Sequence, residues 1–334
     1  MEQKSFKLSI CIPTYNRADL LSEAIKSVVD QANDNIEIII SDNGSKDHTR
    51  DIVRHWQNIF SNITYFRFEE NQGFDINMLK SVDLATGDYC LILGDDDAIN
   101  KNMVQVLLDR IKSNDDLYVI SGYMCDEKMN KIAIRRGLNL DNEKLFIVNN
   151  ANDFSIYIDQ VESDLSFVFA FISSTIFLKR RWEEVEIPVD IKGSHYDHVY
   201  KLLKIVSNKA RIRFLSGKYF LSRKSKNEFS CSNSYKHFYL DVTTYTKFIK
   251  EIFEKEESVE IRKSIGRLLL RGKSIIRFMP FFSHYKYDGS IEEVEGCLEY
   301  FYIKNNKVKM SILFSNYYAY RFYKKIKSLL IKRS

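Results

Sequence analysis

Residues 89–97, Tyr89-Cys90-Leu91-Ile92-Leu93-Gly94-Asp95-Asp96-Asp97, run from apolar residues straight into three consecutive aspartates. The apolar part predicts a buried strand over 89–93. Adjacent carboxylates at a strand end repel one another unless a cation neutralises them. Their hard oxygens suit Mg²⁺ or Mn²⁺, an ion that keeps waters and completes its shell with substrate phosphates. The plainer alternative is a solvated acidic turn with Asp97 near the cap of the next helix.

Outward from this run, the first 122 residues alternate β-branched runs with helix-period segments, the pattern of βαβ units that build a mostly parallel sheet. Phe6 to Ile12 reads as a first strand ended by Pro13. Leu20, Leu21, Ala24, Ile25, Val28 and Val29 share one helical face, and Ile36 to Ile40 is a second strand, apolar on both faces. Further strands are predicted at 63–68 and 117–120, with helices at about 75–85 and around Val104, Leu107, Leu108 and Ile111. Residues 125–152 are polar and weakly periodic and read as a linker-like insertion. Ser166 to Leu178 is a long apolar run that predicts strand structure, followed by a helix around Val199, Leu202, Leu203 and Val206 and a strand at 211–215. From about residue 234 the signal is helical, with Gly266, Gly272, Pro280, Gly289 and Gly296 as breakers.

The composition, 45% hydrophobic and 28% charged, excludes wholesale disorder and a membrane bundle. No stretch approaches the ~18–20 uninterrupted apolar residues of a spanning helix, and the Met-Glu-Gln-Lys start lacks the apolar core of a leader. A cytosolic chain is expected. Cys11, Cys90, Cys125, Cys231 and Cys297 have no CxxC spacing and read as buried thiols.

Two other strand ends carry polar motifs. Pro13-Thr14-Tyr15-Asn16-Arg17 stands where a dinucleotide fold would need GxGxxG, and offers instead groups that can border a nucleobase and ribose. Ser41-Asp42-Asn43-Gly44-Ser45 ends the second strand, and Asp42 can accept from a base edge. Singly, each is also an ordinary strand-to-helix turn with Asn16 or Ser45 as cap.

Taken in order, IPTYNR, IEIIISDNGSKDHT, ENQGFDINMLKSVDLATGDY and LILGDDD resemble the N-terminal half of the inverting GT-A glycosyltransferases of family 2, over residues 6–122. More loosely, SFVFAFISSTIFLKRRW and GSHYDHVYKLL resemble the abequosyltransferase-type members that build bacterial O-antigen and related polysaccharides. The resemblance implies an α/β, Rossmann-like nucleotide-diphospho-sugar transferase domain over 1–233, with a donor-binding half (1–122) and an acceptor-side half (123–233), plus a helical region over 234–334. It implies that Pro13, Thr14, Tyr15, Asn16, Arg17, Asp42, Asn71, Gly73, Asn77 and Asp95 bind the nucleotide-sugar donor. Asp96 corresponds to the closing carboxylate of the family's DxD motif and would hold Mn²⁺ or Mg²⁺, with Asp97 supporting the metal shell. Gly94 departs from the family, which often has aspartate there.

Inversion needs a base for the acceptor hydroxyl. Asp197, in Gly193-Ser194-His195-Tyr196-Asp197-His198, matches the family's position for it, with His195 and His198 as alternatives. A helix-start carboxylate is the ordinary reading of Asp197. A zinc site there would need further ligands that the spacing does not supply.

The formal net charge is only +5, but after Glu299 there is no acid, while nine bases from Lys304 to Arg333 interleave with aromatic and aliphatic residues. Such a segment suits an anionic membrane surface at the inner face of the cytoplasmic membrane, and with it a lipid-linked saccharide acceptor. A helix packed on the protein with snorkelling lysines is the alternative. Nothing in the first half calls for nucleic acid. A metal-dependent nucleotidyltransferase would bring a glycine-rich phosphate loop, which is missing near Arg17. A non-catalytic scaffold that kept the fold would have no need of Asp42, Asp96 and Asp197.

Overall fold

In the computed structural model, which describes residues 6–162, 168–224, 231–254, 256–270 and 290–302, the alternating runs become β1 (Leu8–Thr14), α1 (Ala18–Val29), β2 (Ile36–Asp42), α2 (Thr49–Ile59), β3 (Ile63–Arg67), α3 (Phe74–Asp83) and β4 (Tyr89–Ile92). Every residue of β1, β2 and β4 is buried, which is why these strands read as apolar runs rather than alternations. On one face, Leu8, Ile10, Ile12, Ile38, Ile40 and Leu91 share a core cluster with Leu21, Ala24, Ile25 and Val28 of α1 and Val53 and Trp56 of α2. Glu37 is the exception inside β2. It is buried, yet its carboxylate accepts from Lys7 Nζ at 2.7 Å, Ser9 Oγ at 2.5 Å and the backbone N–H groups of Thr86 at 2.6 Å and Gly87 at 2.9 Å.

The strands lie in the order β3-β2-β1-β4, all parallel. The chain therefore winds outward from β1 to β3 and returns on the other side of β1. This reversal leaves a crevice between the carboxyl ends of β1 and β4, where open α/β sheets hold their ligands.

The remaining elements of this part are β5 (Ala98–Ile99), α4 (Val104–Ile111), β6 (Leu117–Cys125), β7 (Lys131–Arg135), β8 (Lys144–Val148), α5 (Ala151–Asp159), β9 (Thr175–Leu178), α6 (Lys179–Glu183), α7 (Asp197–Ser207) and β10 (Ala210–Arg223). The sheet continues from β4 through β9, β6 and β10 to β5, with β9 antiparallel to both neighbours and β10 parallel to β6. The α/β class expected from the sequence is the one observed, in a mixed ten-stranded sheet.

Two expectations are corrected here. Residues 125–152 are not a linker: they contain β7, paired with β6, and β8, paired with β10. Their periodicity is weak because β8 buries only Phe146 and Val148 while β7 stays largely exposed, so main-chain pairing rather than apolar burial holds them. In the apolar run 166–178, only Thr175–Leu178 is strand among the described residues, and Ile172–Ser174 forms a short 3₁₀ turn. Ser174 Oγ donates to Phe171 O at 2.7 Å, a local bond that competes with a ladder, and Ser173 Oγ donates to Asp97 in the turn after β4.

The chain divides into two compact units, residues 1–162 with 166–226 and residues 163–165 with 227–334. The second is helical where described: α8 (Cys231–Ile252), α9 (Val259–Leu270) and α10 (Ser290–Tyr300). Val242, Tyr245, Phe248 and Ile249 of α8, Ile261, Ile265 and Leu268 of α9, and Leu298 after Cys297 are buried. Gly266 and Gly296, expected as breakers, lie inside α9 and α10. The basic segment 304–333 lies outside the described residues. Among the described residues no helix is long and apolar enough to cross a membrane. Cys11, Cys90, Cys125 and Cys297 are buried free thiols.

Candidate active site

The crevice between β1 and β4 opens into a cavity of about 540 Å³. Pro13, Thr14, Tyr15 and Arg17 reach it from the end of β1, and Gly94, Asp95 and Asp96 from the turn after β4. Asn71, Gly73 and Asn77 reach it from the turn and first helical residues before and within α3. The structure thus gathers nine residues singled out in the sequence, Gly94 aside, around one space.

The turn after β4 is organised by its carboxylates. Asp95 is buried and accepts from Thr14 Oγ1 at 2.9 Å and from Arg17 Nη1 at 3.0 Å. Burial raises its proton affinity, and the Arg17 charge works against that rise. The same Arg17 nitrogen lies 3.1 Å from Asp96 Oδ2, so one guanidinium bridges two carboxylates. Asp97 turns inward, away from the cavity lining, and accepts from Ser173 Oγ at 2.6 Å and Arg223 N at 3.1 Å. Burial, with Asp96 adding to it, pushes the Asp97 carboxyl up to about 7. Arg223 Nε in turn holds Asp96 O at 3.1 Å. Gly94 belongs to this arrangement: its N–H donates to Ser173 Oγ at 3.0 Å, and a Cβ there would lie 3.2 Å from Asp96 Oδ1 and 3.3 Å from Asp97 Oδ2.

The opposite wall is built by asparagines. Asn43, which sequence reasoning quoted but did not assign, donates from Nδ2 to Asn71 Oδ1 and Gly73 O, both at 3.0 Å, and accepts from Gln72 N at 2.8 Å. Asn71 Oδ1 also accepts from Gly73 N at 2.8 Å, closing an Asx turn. Gly73 has φ +90°, a conformation that L side chains rarely adopt, and it leads directly into α3. Buried Asn77 ties β2 to β1, accepting from Ser41 Oγ at 2.8 Å and donating to Thr14 O at 3.3 Å. Phe74 and Ile172 complete the lining; neither was assigned from sequence, although Phe74 sits inside the NQGFDIN motif.

Other expected site residues stand behind the wall. Asn16, with φ +53°, accepts from Lys46 N at 2.8 Å, and its N–H donates to Ser45 Oγ at 2.9 Å, so it staples the two loops together. Asp42 is fully buried and accepts from Ser45 N at 2.8 Å and Tyr65 Oη at 2.6 Å. Neither lines the cavity, because their polar atoms are used in forming the loops that shape it.

Asp197, at the start of α7, is also fully buried. It accepts from Gly193 N at 3.0 Å, Ser194 N at 3.1 Å and Ser194 Oγ at 3.0 Å. His195, with φ +66°, donates its backbone N–H to Asp75 Oδ2 at 2.7 Å. His198 is buried against the edge of Phe74, with Nε2 3.2 Å from Ala170 O. Burial drives its imidazole down to about 4, although the Ala170 carbonyl opposes this, and the ring is neutral at pH 7. The 193–198 segment thus meets the cavity wall through the first turn of α3. Asp75 was not anticipated: it is buried, its Oδ1 has no hydrogen-bond partner, and burial together with Asp197 pushes its carboxyl up to about 6.

The donor set suits a hard divalent cation. Asp96, partly exposed, brings a carboxylate to the cavity, and Mg²⁺ is usually held by one or two carboxylates together with substrate phosphates. Among the described residues no cluster of three or more acidic, histidine or cysteine side chains forms an all-protein cage.

The family profile described as "Glycosyl transferase family 2" matches residues 9–177. The abequosyltransferase RfbV of Salmonella typhimurium is 31% identical over 275 residues, covering 79% of this chain and 80% of that protein. The GalNAc(5)-diNAcBac-PP-undecaprenol beta-1,3-glucosyltransferase of Campylobacter jejuni is 34% identical over 141 residues, 41% of this chain and 45% of that one. Among solved structures, S. aureus TarS 1-349 in complex with UDP superimposes with a TM-score of 0.62 at 19% identity, covering 88% of this chain and 80% of that one, a likeness of fold.

Proposed function

This chain belongs to glycosyltransferase family 2, and on that premise we propose that it transfers a sugar, with inversion, from a nucleotide-sugar donor in the β1–β4 cavity to a hydroxyl of a lipid-linked saccharide. The observation that carries this reading is the cavity itself. It lies at the sheet's switch point, with Asp95 and Asp96 on one side and the cationic Arg17 between them, opposite a turn in which Gly73 brings backbone close. Mn²⁺ or Mg²⁺, held by Asp96 and the donor's phosphate oxygens, would supply the charge that stabilises the departing diphosphate. Tyr15, about two-fifths exposed, is free to border the base and ribose.

The acceptor half of the proposal draws on the names of two bacterial relatives, an abequosyltransferase and a glucosyltransferase that carries a PP-undecaprenol saccharide in its name. The basic, aromatic segment 304–333 supports peripheral attachment at the inner face of the cytoplasmic membrane. Asp197 is the proposed base. A second reading gives that role to Asp75, because its Oδ1 is buried without a partner whereas Asp197 is gripped by Gly193 and Ser194.

A panel of nucleotide-sugars, scored by thermal stabilisation and by hydrolysis with and without Mn²⁺, tests the reading. One donor should stabilise the protein in a metal-dependent way, and Asp96→Ala should remove that dependence. Unchanged metal-dependent binding in the variant would sink the metal assignment.

A further inference from the structure

Arg17 is the one cationic side chain lining the cavity among the described residues, and it is committed to the carboxylates. Its Nη1 lies 3.0 Å from Asp95 Oδ1 and 3.1 Å from Asp96 Oδ2. Asp95 has no freedom to leave, since Thr14 Oγ1 holds its other oxygen and it is buried. Asp97 takes no part, because Ser173 and the Arg223 main chain hold it. Arg17 itself is about half exposed just before α1, so of the three it alone has room to swing.

A divalent ion at Asp96 would sit beside the carboxylate oxygen that Arg17 occupies, and two cations at such range repel. A diphosphate would bring into the same cavity two or more negative charges that Asp95 and Asp96 repel. Moving Arg17 from the carboxylates to the diphosphate, as the metal takes its place, removes both conflicts at once. A guanidinium suits either partner, since its fork matches carboxylate and phosphate alike.

We infer that Arg17 is a resident counter-ion that competes with the divalent metal in the free protein and transfers to the diphosphate when the donor binds. This rests on the reading of the cavity as a nucleotide-diphosphate site. Its consequence is coupling: the free protein binds Mn²⁺ weakly, and a nucleoside diphosphate makes the site receptive by giving Arg17 somewhere else to go.

The test measures Mn²⁺ binding by electron paramagnetic resonance of the free ion, with and without each of UDP, CDP, GDP and ADP, and needs no turnover. Wild type should bind Mn²⁺ at least tenfold tighter with its cognate diphosphate than without. Arg17→Gln, which keeps a polar side chain but no charge, should bind Mn²⁺ alone at least tenfold tighter than wild type and should lose at least tenfold in diphosphate affinity. Arg17→Lys, which keeps the charge, should stay near wild type for Mn²⁺ alone, and melting curves check that both variants fold. If wild type binds a diphosphate with Mn²⁺ but Arg17→Gln gains no Mn²⁺ affinity, the counter-ion role is overturned and the cavity reading stands. If wild type binds none of the diphosphates in any metal condition, the cavity reading fails and the inference falls with it.

Discussion

At Gly94 the absence of a side chain eases the packing of the site. A Cβ there would press on Asp96 Oδ1 at 3.2 Å and Asp97 Oδ2 at 3.3 Å, tighter than ordinary contact, so the residue that departs from the family pattern leaves room for the two carboxylates that follow it. The choice between two bases also belongs to single residues. Asp197→Asn should keep donor binding and lose transfer, while Asp75→Asn should keep most of its turnover; the reverse pattern would move the base to Asp75. Stability provides a separate readout. Asp75 is raised from 3.8 to about 6 by burial and by Asp197, so the native state holds its proton more tightly than the unfolded chain. Its contribution is therefore fully favourable below pH ~4 and is lost as pH rises through about 6. Asp75→Asn should melt above wild type at pH 7.5, with the advantage fading towards pH 4, as thermal melts across that range will show.

Among the elements, β2 illustrates how a charge is tolerated in a buried parallel strand. Burial opposes ionisation of Glu37, but Lys7, Ser9 and Thr86 outweigh it and hold the carboxyl at about 2, below its ordinary 4.5. A depressed carboxyl stabilises above its unfolded value and loses that contribution as pH falls towards the folded one. Glu37→Gln should therefore cost on the order of 3 kcal/mol at pH 7, the gap to wild type closing between about pH 4.5 and 2. Denaturant titrations at pH 7 and pH 3 will measure it. The same network joins β1, β2 and the turn before β4, so it sets the base of the strands whose upper ends frame the cavity.

On the scale of the whole molecule, the catalytic chemistry and the proposed membrane contact lie in different units. The cavity and every residue around it belong to residues 1–226, whereas the basic segment belongs to the second unit by sequence. Deleting residues 303–334, beyond buried Phe301, should leave nucleotide binding intact and release the protein from vesicles containing anionic lipid. Persistent vesicle binding by the shortened chain in a sedimentation assay would refute the tail's membrane role.

The parallel core was readable in the sequence because burial on both faces forces β1, β2 and β4 into apolar runs, each ended by polar residues at the same sheet edge. Those ends marked Pro13–Arg17 and Gly94–Asp97, and the resemblance to family 2 joined Asn71, Gly73 and Asn77 to them before any fold was known. Pairing was not readable where main-chain bonds, rather than side-chain burial, hold a strand, and so β7 and β8 passed for a linker. Nor could the sequence separate the aspartates that line the cavity from those that build it. Asp42, Asp97 and Asp197 look like Asp96 in one dimension; each turned inward because a hydroxyl or N–H from a distant or neighbouring loop satisfied its charge in the interior. That Arg17 lies across Asp95 and Asp96 also depends on strand order, since only the adjacency of β1 and β4 brings a residue at position 17 within 3.1 Å of one at position 96.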